Sequence, residues 1–390
     1  MRILDLRPRT VRFMSSLWRK GAPVRGCLAK RPDSRNPFTN LMGKVTDNVV
    51  ARRVAARKPA AGGPAIVSVG NLALGGTGKT PVVTALARDL ADDRWRGAVL
   101  TRGFGSPLSG PLAVDPGNVL AGDEARLMAA ALDPCQWPVI QARHRARGLE
   151  YLVEEHPGIE IVIVEDGHQT ARLGRHLDVV ILDAWTVDDV QGSPRIHPVT
   201  GAVFPFGPWR ESSAGAERAG IWLLETEEPV PAEGMNGQAV AAFSRHLSLR
   251  DAQEGSLFET PDGRFAVLSG IARPAAFEKA LEQVLVHEPV LSIRFGDHAD
   301  YTPRDAADIR REVEEAGADF LVTTAKDWVK LEPFWSNGPR VLLADLEIRW
   351  GGESTLPELV AERLGALRAR PSGHSTREQL ESGNRFADGD

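Results

Sequence analysis

Cysteine is scarce in this chain: Cys27 and Cys135 are the only two in 390 residues. Two distant cysteines make neither a disulfide framework nor a zinc-ligand pattern, so the reading is a protein of a reducing compartment. Long apolar runs are missing too, and no stretch reaches the length needed to span a bilayer. The N-terminus opens with Arg2, but Asp5 and Arg7 interrupt any signal-like apolar core. No Asn-Lys-x-Asp base-recognition signature occurs, no Cys or His cluster, and no short internal repeat.

Charge is unevenly placed. The whole chain carries −5, yet residues 1–58 hold 15 Lys and Arg against three Asp, leaving the remainder strongly acidic. Such an arm points to an anionic partner, with nucleic acid and an anionic membrane face as the candidates. Residues 1–36 read as basic and irregular. From Phe38, apolar residues recur at Leu41, Met42, Val45, Val49 and Val54, beside Lys44, Arg52, Arg53, Arg57 and Lys58. That spacing predicts a basic amphipathic helix, which either lies on a membrane surface or packs on the body with a solvated face. The organisation expected is an arm over 1–62, a core over 63–230, a smaller domain over 231–370, and a disordered tail over 371–390.

The core begins with the clearest signal. An apolar strand, Ala65–Val69, leads through Asn71 into Gly75-Gly76-Thr77-Gly78-Lys79-Thr80, followed by a helical run from Val82 to Leu90. Strand, glycine-rich loop, Lys-Thr and helix is the order of a phosphate cradle. Glycines turn backbone N–H groups onto phosphate oxygens, and the helix N-terminus adds a positive dipole end. Lys79 can reach the β- and γ-phosphates and Thr80 can ligate Mg²⁺. Ala73 occupies the first glycine position of the longer G-x-x-x-x-G-K-[ST] pattern, so the tighter Gly-Gly-x-Gly-Lys-Thr form is the better match. ATP with Mg²⁺ is the expected ligand pair.

Further strands are expected at Ala98–Thr101, Val139–Ile140, Glu160–Val164, Val179–Leu182 and Gly220–Leu224, alternating with helices. This is the pattern of an α/β, P-loop NTPase-like, mainly parallel sheet with helices on both faces. A second alternating block has strands at Phe265–Ser269, Val290–Ile293, Phe320–Thr323 and Val341–Leu346, and helices at Ala275–Val284 and Pro303–Ala316. The run Ile161 to Val164 ends in Glu165-Asp166-Gly167, and paired carboxylates at a strand end beside a P-loop suit a metal shell. Gly122-Asp123-Glu124 opens the helical run Ala125–Leu132, where the plain reading is an N-cap. Thr101-Arg102-Gly103-Phe104-Gly105 reads as a loop whose Arg could meet a phosphate. Asp297-His298 lies in a loop before Tyr301, and Thr323 to Lys330 reads as a charged strand-end turn or a substrate contact.

In this order and spacing, over roughly residues 38–335, these segments resemble the tetraacyldisaccharide 4′-kinase family of lipid A biosynthesis. Its Val-Gly-Asn and Gly-Gly-Thr-Gly-Lys-Thr-Pro stand at Val69–Asn71 and Gly75–Pro81, and its Ser-Arg-Gly-Tyr-Gly at Thr101–Gly105. Its Gly-Asp-Glu-Pro stands at Gly122–Ala125, and its Pro-Val-x-Val-x-x-x-Arg at Pro138–Arg145. Its Pro-x-Gly-Pro-Leu-Arg-Glu stands at Pro205–Glu211. Its Phe-x-Asp-His-His and Thr-Thr-Glu-Lys-Asp-x-Val-Lys stand at Phe295–Ala299 and Thr323–Lys330. Departures are Glu165 for the first Asp of Asp-Asp-Gly-Phe/Leu-Gln-His, His168 at its Phe/Leu, Thr170 at its terminal His, Ala299 and Ala325.

The resemblance implies Mg²⁺-dependent transfer from ATP to the 4′-hydroxyl of an acylated disaccharide 1-phosphate lipid, by a peripheral enzyme on the cytoplasmic face of the inner membrane. It implies a catalytic pair, Asp123 as base supported by His298, acting with Lys79. It implies substrate contacts from Asn71, Arg102, Phe104 and Arg145, and a metal shell from Thr80, Glu124, Glu165 and Asp166. Three alternatives remain at this stage. One is a nucleotide-switched GTPase or metallochaperone, one a diverged low-activity relative, and one a nucleic-acid binder, which the acidic body and lack of recognition motifs disfavour.

Overall fold

The computed structural model describes residues 2–5, 50, 63–74, 78–170, 173–204, 206–258, 262–271, 274–297 and 299–368. The expected amphipathic helix after Phe38, apart from Val50, and the expected tail over 371–390 lie outside the described residues. The chain divides into two compact units, one of Met1–Ala22 with Ser244–Arg349 and a larger one of Pro23–Phe243 with Trp350–Asp390.

Strand β1 (Arg2–Asp5) belongs to the smaller unit. The larger unit then runs β2 (Ala65–Asn71), α1 (Lys79–Asp92), β3 (Gly97–Thr101), β4 (Leu112–Ala113) and α2 (Asp123–Leu132). It continues with β5 (Val139–Gln141), α3 (Arg145–Glu155), β6 (Ile161–Glu165), β7 (Leu177–Leu182), β8 (Trp185–Val190), β9 (Ser193–Pro198), β10 (Ile221–Glu225) and the start of β11 (Ala239–Asp251). Its strands stand in the order β11-β10-β7-β2-β6-β3-β5-β4. All these neighbours are parallel except β4, which is antiparallel to β5. Val67 of β2 sits opposite Ile163 on one side and Leu177 on the other. Every residue of β2, β3, β6 and β7 is buried, as β-branched runs in a parallel sheet covered on both faces require. β8 and β9 form a separate antiparallel hairpin.

Two close approaches set the central strands for their task. A Cβ on Gly70, near the end of β2, would lie 2.5 Å from the His168 Cβ, so only glycine lets the segment after β6 cross β2 at this height. Gly78 takes φ 71° and caps α1 in the left-handed region, which glycine enters without steric cost. On α1, Val82, Val83, Leu86 and Leu90 face the core.

The smaller unit holds the rest of β11, then β12 (Leu257–Phe258), β13 (Phe265–Ser269), α4 (Pro274–Leu285) and β14 (Leu291–Arg294). After them come α5 (Pro303–Glu315), β15 (Phe320–Thr324), α6 (Ala325–Leu331) and most of β16 (Arg340–Gly351). Its parallel run is β1-β14-β13-β15-β16. Thr302 and Asp305 close a capping box on α5, with Pro303 in the first turn. The buried Asp327 of α6 accepts hydrogen bonds from Tyr301 Oη at 2.9 Å, Gly270 N at 3.1 Å and Thr324 Oγ1 at 2.7 Å.

Three expectations change. The first residues are not wholly irregular, because Arg2–Asp5 pair with Leu291–Arg294. The charged segment after Thr324 is a helix rather than a turn. The last helix, α7 (Leu356–Arg368), packs on α1 in the larger unit, whereas the sequence pattern grouped it with the smaller domain. Trp350 Nε1 donates to Asp89 Oδ2 at 2.5 Å, so the chain leading into α7 is tied to α1 by a contact that no local periodicity announces.

Candidate functional site

The site of the larger unit lies at the carboxyl ends of β2, β3 and β6, where an open parallel sheet presents its ligand crevice. Gly75, Gly76 and Thr77 lie outside the described residues. Gly78 delivers Lys79 and Thr80 as the first residues of α1, placing both side chains at the helix N-terminus.

Lys79 is buried, and its Nζ donates to Asn71 Oδ1 at 3.0 Å and stands 3.3 Å from Asp166 Oδ1. Asn71 in turn donates to Ala73 O and Asp183 Oδ2 at 2.9 and 3.1 Å. The strand that leads into the loop therefore also aims its lysine. Asp166 sits at φ 51° and faces Arg210 Nη1 at 2.7 Å. Burial acts to raise its carboxyl, but Lys79 and Arg210 outweigh burial and hold it below the ordinary aspartate value.

Thr80 is the meeting point of two acids. Its Oγ1 stands 2.8 Å from Glu124 Oε2 and 2.8 Å from Glu165 Oε1. One hydroxyl proton can serve only one of them at a time. Thr101 Oγ1 donates to the other oxygen of Glu165 at 2.5 Å. Burial raises the Glu165 carboxyl and the Glu124 charge adds to this, against the two threonine hydrogen bonds. A buried carboxylate facing a second one is a place where a cation is favourable.

The donors are all hard oxygens, two carboxylates and a hydroxyl, as magnesium prefers. Among the described residues no three His, Cys, Asp or Glu side chains converge as a metal cage. Magnesium at phosphoryl-transfer sites needs no such cage, since phosphate oxygens and water complete its octahedron. Thr80, Glu124 and Glu165 fit that role. Asp166 faces the two cations Lys79 and Arg210.

Asp123 is the first residue of α2, and Gly122 rather than Asp123 is its cap. Its neighbour Glu124 reaches Thr80, so the Asp-Glu pair opens at the crevice. Arg102 and Phe104 are exposed on the loop after β3, Phe104 by 72%. Two residues that the resemblance assigns to substrate are instead enclosed. Asn71 is fully buried on Lys79. Arg145 is buried and donates to Ala142 O at 2.9 Å and Glu165 O at 3.2 Å. Burial pushes the Arg145 guanidinium down to about 10, against the pull of Glu165 and Asp166. Its place beneath the end of β6 makes it a brace for Glu165. His298 lies outside the described residues.

Several participants carry no role in the sequence reading. Gln169 Nε2 donates to Asn71 O at 2.9 Å and Glu211 Oε1 at 2.7 Å, and its Oε1 accepts from Arg210 at 3.2 Å. The fully buried His168 places Nδ1 2.9 Å from Asp178 Oδ2 and Nε2 2.9 Å from Gly215 O. Arg218 Nη2 stands 3.1 Å from His168 Nε2 and 2.7 Å from Glu211 Oε2. The Arg210-Glu211 pair after the Pro-x-Gly-Pro stretch is the one sequence signal that could have found this scaffold.

Comparison with known proteins agrees with the geometry. The profile of the tetraacyldisaccharide-1-P 4′-kinase family matches residues 36–365. A tetraacyldisaccharide 4′-kinase of Anaeromyxobacter dehalogenans strain 2CP-1 is 34% identical over 369 residues, 86% of this chain and 91% of that protein. Another, from Phenylobacterium zucineum, is 35% identical over 305 residues, 74% of this chain and 82% of that protein. A crystal structure of LpxK from Aquifex aeolicus in complex with ATP aligns with TM-score 0.61 and 24% identity, covering 85% of this chain and 97% of that one. That likeness speaks for the fold, and the P-loop-type α/β architecture is shared. By the family profile and the curated relatives together, the chain belongs to the tetraacyldisaccharide 4′-kinase family.

Proposed function

We propose that this protein transfers the γ-phosphoryl group of ATP to the 4′-hydroxyl of a tetraacyldisaccharide 1-phosphate. The observation that carries the proposal is the convergence of Lys79, Thr80, Glu124 and Glu165 at the N-terminus of α1, in a chain of this kinase family. Family membership does not favour the GTPase and metallochaperone alternatives.

Phosphoryl transfer is mostly a matter of position and charge. Lys79, aimed by Asn71 and Asp166, directs its ammonium at the β- and γ-phosphate oxygens. Magnesium held by Thr80, Glu124 and Glu165 would supply charge neutralisation on those same oxygens. Arg145 and Thr101 keep Glu165 in place from below and beside. Asp123, next to Glu124, takes the proton of the acceptor hydroxyl. Arg102, exposed beyond β3, meets a substrate phosphate. The chemistry is closed in atoms: the hydroxyl oxygen bonds to phosphorus, the bridging oxygen leaves with ADP, and the hydroxyl proton goes to the Asp123 carboxylate.

The expected location is peripheral, on the cytoplasmic face of the inner membrane, with the basic segment 1–58 against anionic lipid. Among the described residues no helix is long and apolar enough to cross a membrane. Flotation with anionic liposomes, with and without residues 1–58, tests the arm. Transfer of ³²P from ATP to the disaccharide tests the reaction. Asp123→Ala is expected to abolish transfer while ATP binding persists; transfer at the wild-type rate would remove Asp123 as the base.

A further inference from the structure

Beside the nucleotide end of β2 the larger unit buries charged side chains to which the phosphoryl transfer described above gives no part. Glu211 is fully buried among them. Its Oε2 accepts from Arg218 Nη2 at 2.7 Å, and its Oε1 accepts from Gln169 Nε2 at 2.7 Å. His168 Nε2 stands 3.5 Å from the same Oε1. Arg218 ends a short 3₁₀ helix, Ser213–Arg218, whose entry is capped by Ser212 Oγ accepting from Ala214 N at 3.3 Å. A Cβ on Gly215 would lie 2.5 Å from Glu211 Cδ, so glycine lets that helix close directly on the carboxylate.

From Glu211 a line of contacts leads to the nucleotide lysine. Gln169 Nε2 also donates to the carbonyl of Asn71 at 2.9 Å, and its Oε1 accepts from Arg210 Nη1 at 3.2 Å. Arg210 Nη1 reaches Asp166 Oδ1 at 2.7 Å, and that oxygen stands 3.3 Å from Lys79 Nζ. The backbone is tied as well. Arg210 N donates to Leu72 O and Leu74 N to Pro208 O, each at 2.7 Å, so residues 208–210 lie along the entry to the nucleotide loop. The same stretch of chain gives Trp209, Ala216, Ala219 and Trp222 to an apolar core cluster. An ion pair buried in such a place adds little net stability, because apolar side chains of like volume would pack there as well or better. What it supplies is a fixed geometry, since a carboxylate held on both oxygens holds its donors in turn.

We propose that Arg218 is a positioning residue for nucleotide binding. Through Glu211 it fixes the Gln169 amide. Gln169 then sets the Arg210 guanidinium that faces Asp166 and the Asn71 carbonyl at the end of β2. The inference rests on the reading of Lys79 as the phosphate-binding lysine given above, and extends the nucleotide site to a residue that the sequence pattern assigns no role.

The test is calorimetric titration of the full chain with β,γ-methylene-ATP and magnesium. Arg218→Met is expected to raise the dissociation constant at least about fivefold with the binding stoichiometry unchanged. Arg218→Lys, which keeps a donor for Glu211, is expected to recover most of that loss. Gln169→Ala breaks the same line further along. Gln169→Ala/Arg218→Met should therefore bind within about twofold of Gln169→Ala. A wild-type dissociation constant in Arg218→Met, with a lowered stoichiometry, would reduce Arg218 to a prop of the fold and overturn the proposal. Full additivity in the double variant overturns it too, since Arg218 would then act by a route that avoids Gln169. Should Arg218→Met not fold, Arg218→Met/Glu211→Gln strands no charge and takes its place, with the same expected loss and the same overturning result. A wild type that does not bind the analogue removes the ATP reading itself, which loss in the variants alone leaves standing.

Discussion

The side-chain oxygen of Asn71 accepts a hydrogen bond from Lys79 Nζ at 3.0 Å, so the last residue of β2 orients the first residue of α1 across the nucleotide loop. Asn71→Leu keeps much of the volume and removes the acceptor that β2 offers Lys79. It also leaves Asp183 without the Asn71 donor and exposes Ala73 O to the same loss. Unmatched buried polar groups cost about 1–3 kcal/mol. The expected outcome is a comparable loss of stability in urea melts, and a fall in kcat/KM for ATP of roughly 10- to 100-fold, about 1.4–2.8 kcal/mol of transition-state stabilisation. Unchanged kcat/KM would show that Lys79 is aimed without Asn71.

The clash of Glu124 and Glu165 around Thr80 has a pH signature. The Glu165 carboxyl is raised from its ordinary 4.5 by burial and by Glu124. In the metal-free protein the folded state thus keeps a proton that the unfolded chain has released. Its contribution to stability is complete below pH 4.5 and is lost as pH rises through the raised value. Glu165→Gln should flatten that part of the profile, measured as the difference in urea midpoint between variant and wild type with chelator present. Magnesium with an ATP analogue should flatten the wild-type profile as well, because a cation favours the ionised carboxylate. A wild-type slope identical to that of the variant would mean Glu165 ionises freely.

His168 stands where the family pattern has Phe or Leu, and the structure shows why the change is tolerated. Asp178 on one side of the ring and Gly215 O on the other give both nitrogens a partner inside the core. His168→Phe removes the ring nitrogen 2.9 Å from Asp178 Oδ2 and leaves that carboxylate to Arg175 Nη1 at 3.5 Å, with Oδ1 still unpartnered. Leaving a buried acceptor without its hydrogen-bond partner costs roughly 1–3 kcal/mol. A loss of that order is expected in chemical denaturation. Adding Asp178→Asn to His168→Phe should recover part of it, since a neutral amide costs less to bury than a carboxylate that has lost a hydrogen-bond partner.

The strands that carry chemistry were readable because they are short, apolar throughout and bounded by glycine. Ala65–Asn71 extends its expected span by two residues, and Ile161–Glu165 shifts its expected span by one. What escaped the reading depends on distant partners. Arg2–Asp5 has no strand pattern of its own and is a strand because β14 offers a parallel edge. The β8–β9 hairpin turns on Gln191-Gly192, both with positive φ, and Gln is not a residue that announces such a turn. Lys79, Thr80 and Glu165 could be placed from motif order. Thr101, Gln169 and the enclosure of Arg145 could not, because their roles arise from which strand ends stand side by side.

Arg210 offers the last test, since it shares Asp166 with Lys79. With burial opposing them, the two cations hold the Asp166 carboxyl below its ordinary 3.8. A depressed folded value means that the stabilisation is present above pH 3.8 and is lost as pH falls through the lower one. Arg210→Met removes one cation and keeps the aliphatic length, so the carboxyl rises and the acid limb of the stability profile moves to higher pH. The same substitution leaves Lys79 as the only cation of the pair facing Asp166, drawing its ammonium toward the carboxylate and away from phosphate. The expected kinetic result is a raised KM for ATP together with an upward shift of the acid unfolding midpoint. An acid midpoint that stays put, with KM raised, would show that Arg210 acts on the nucleotide and not through Asp166.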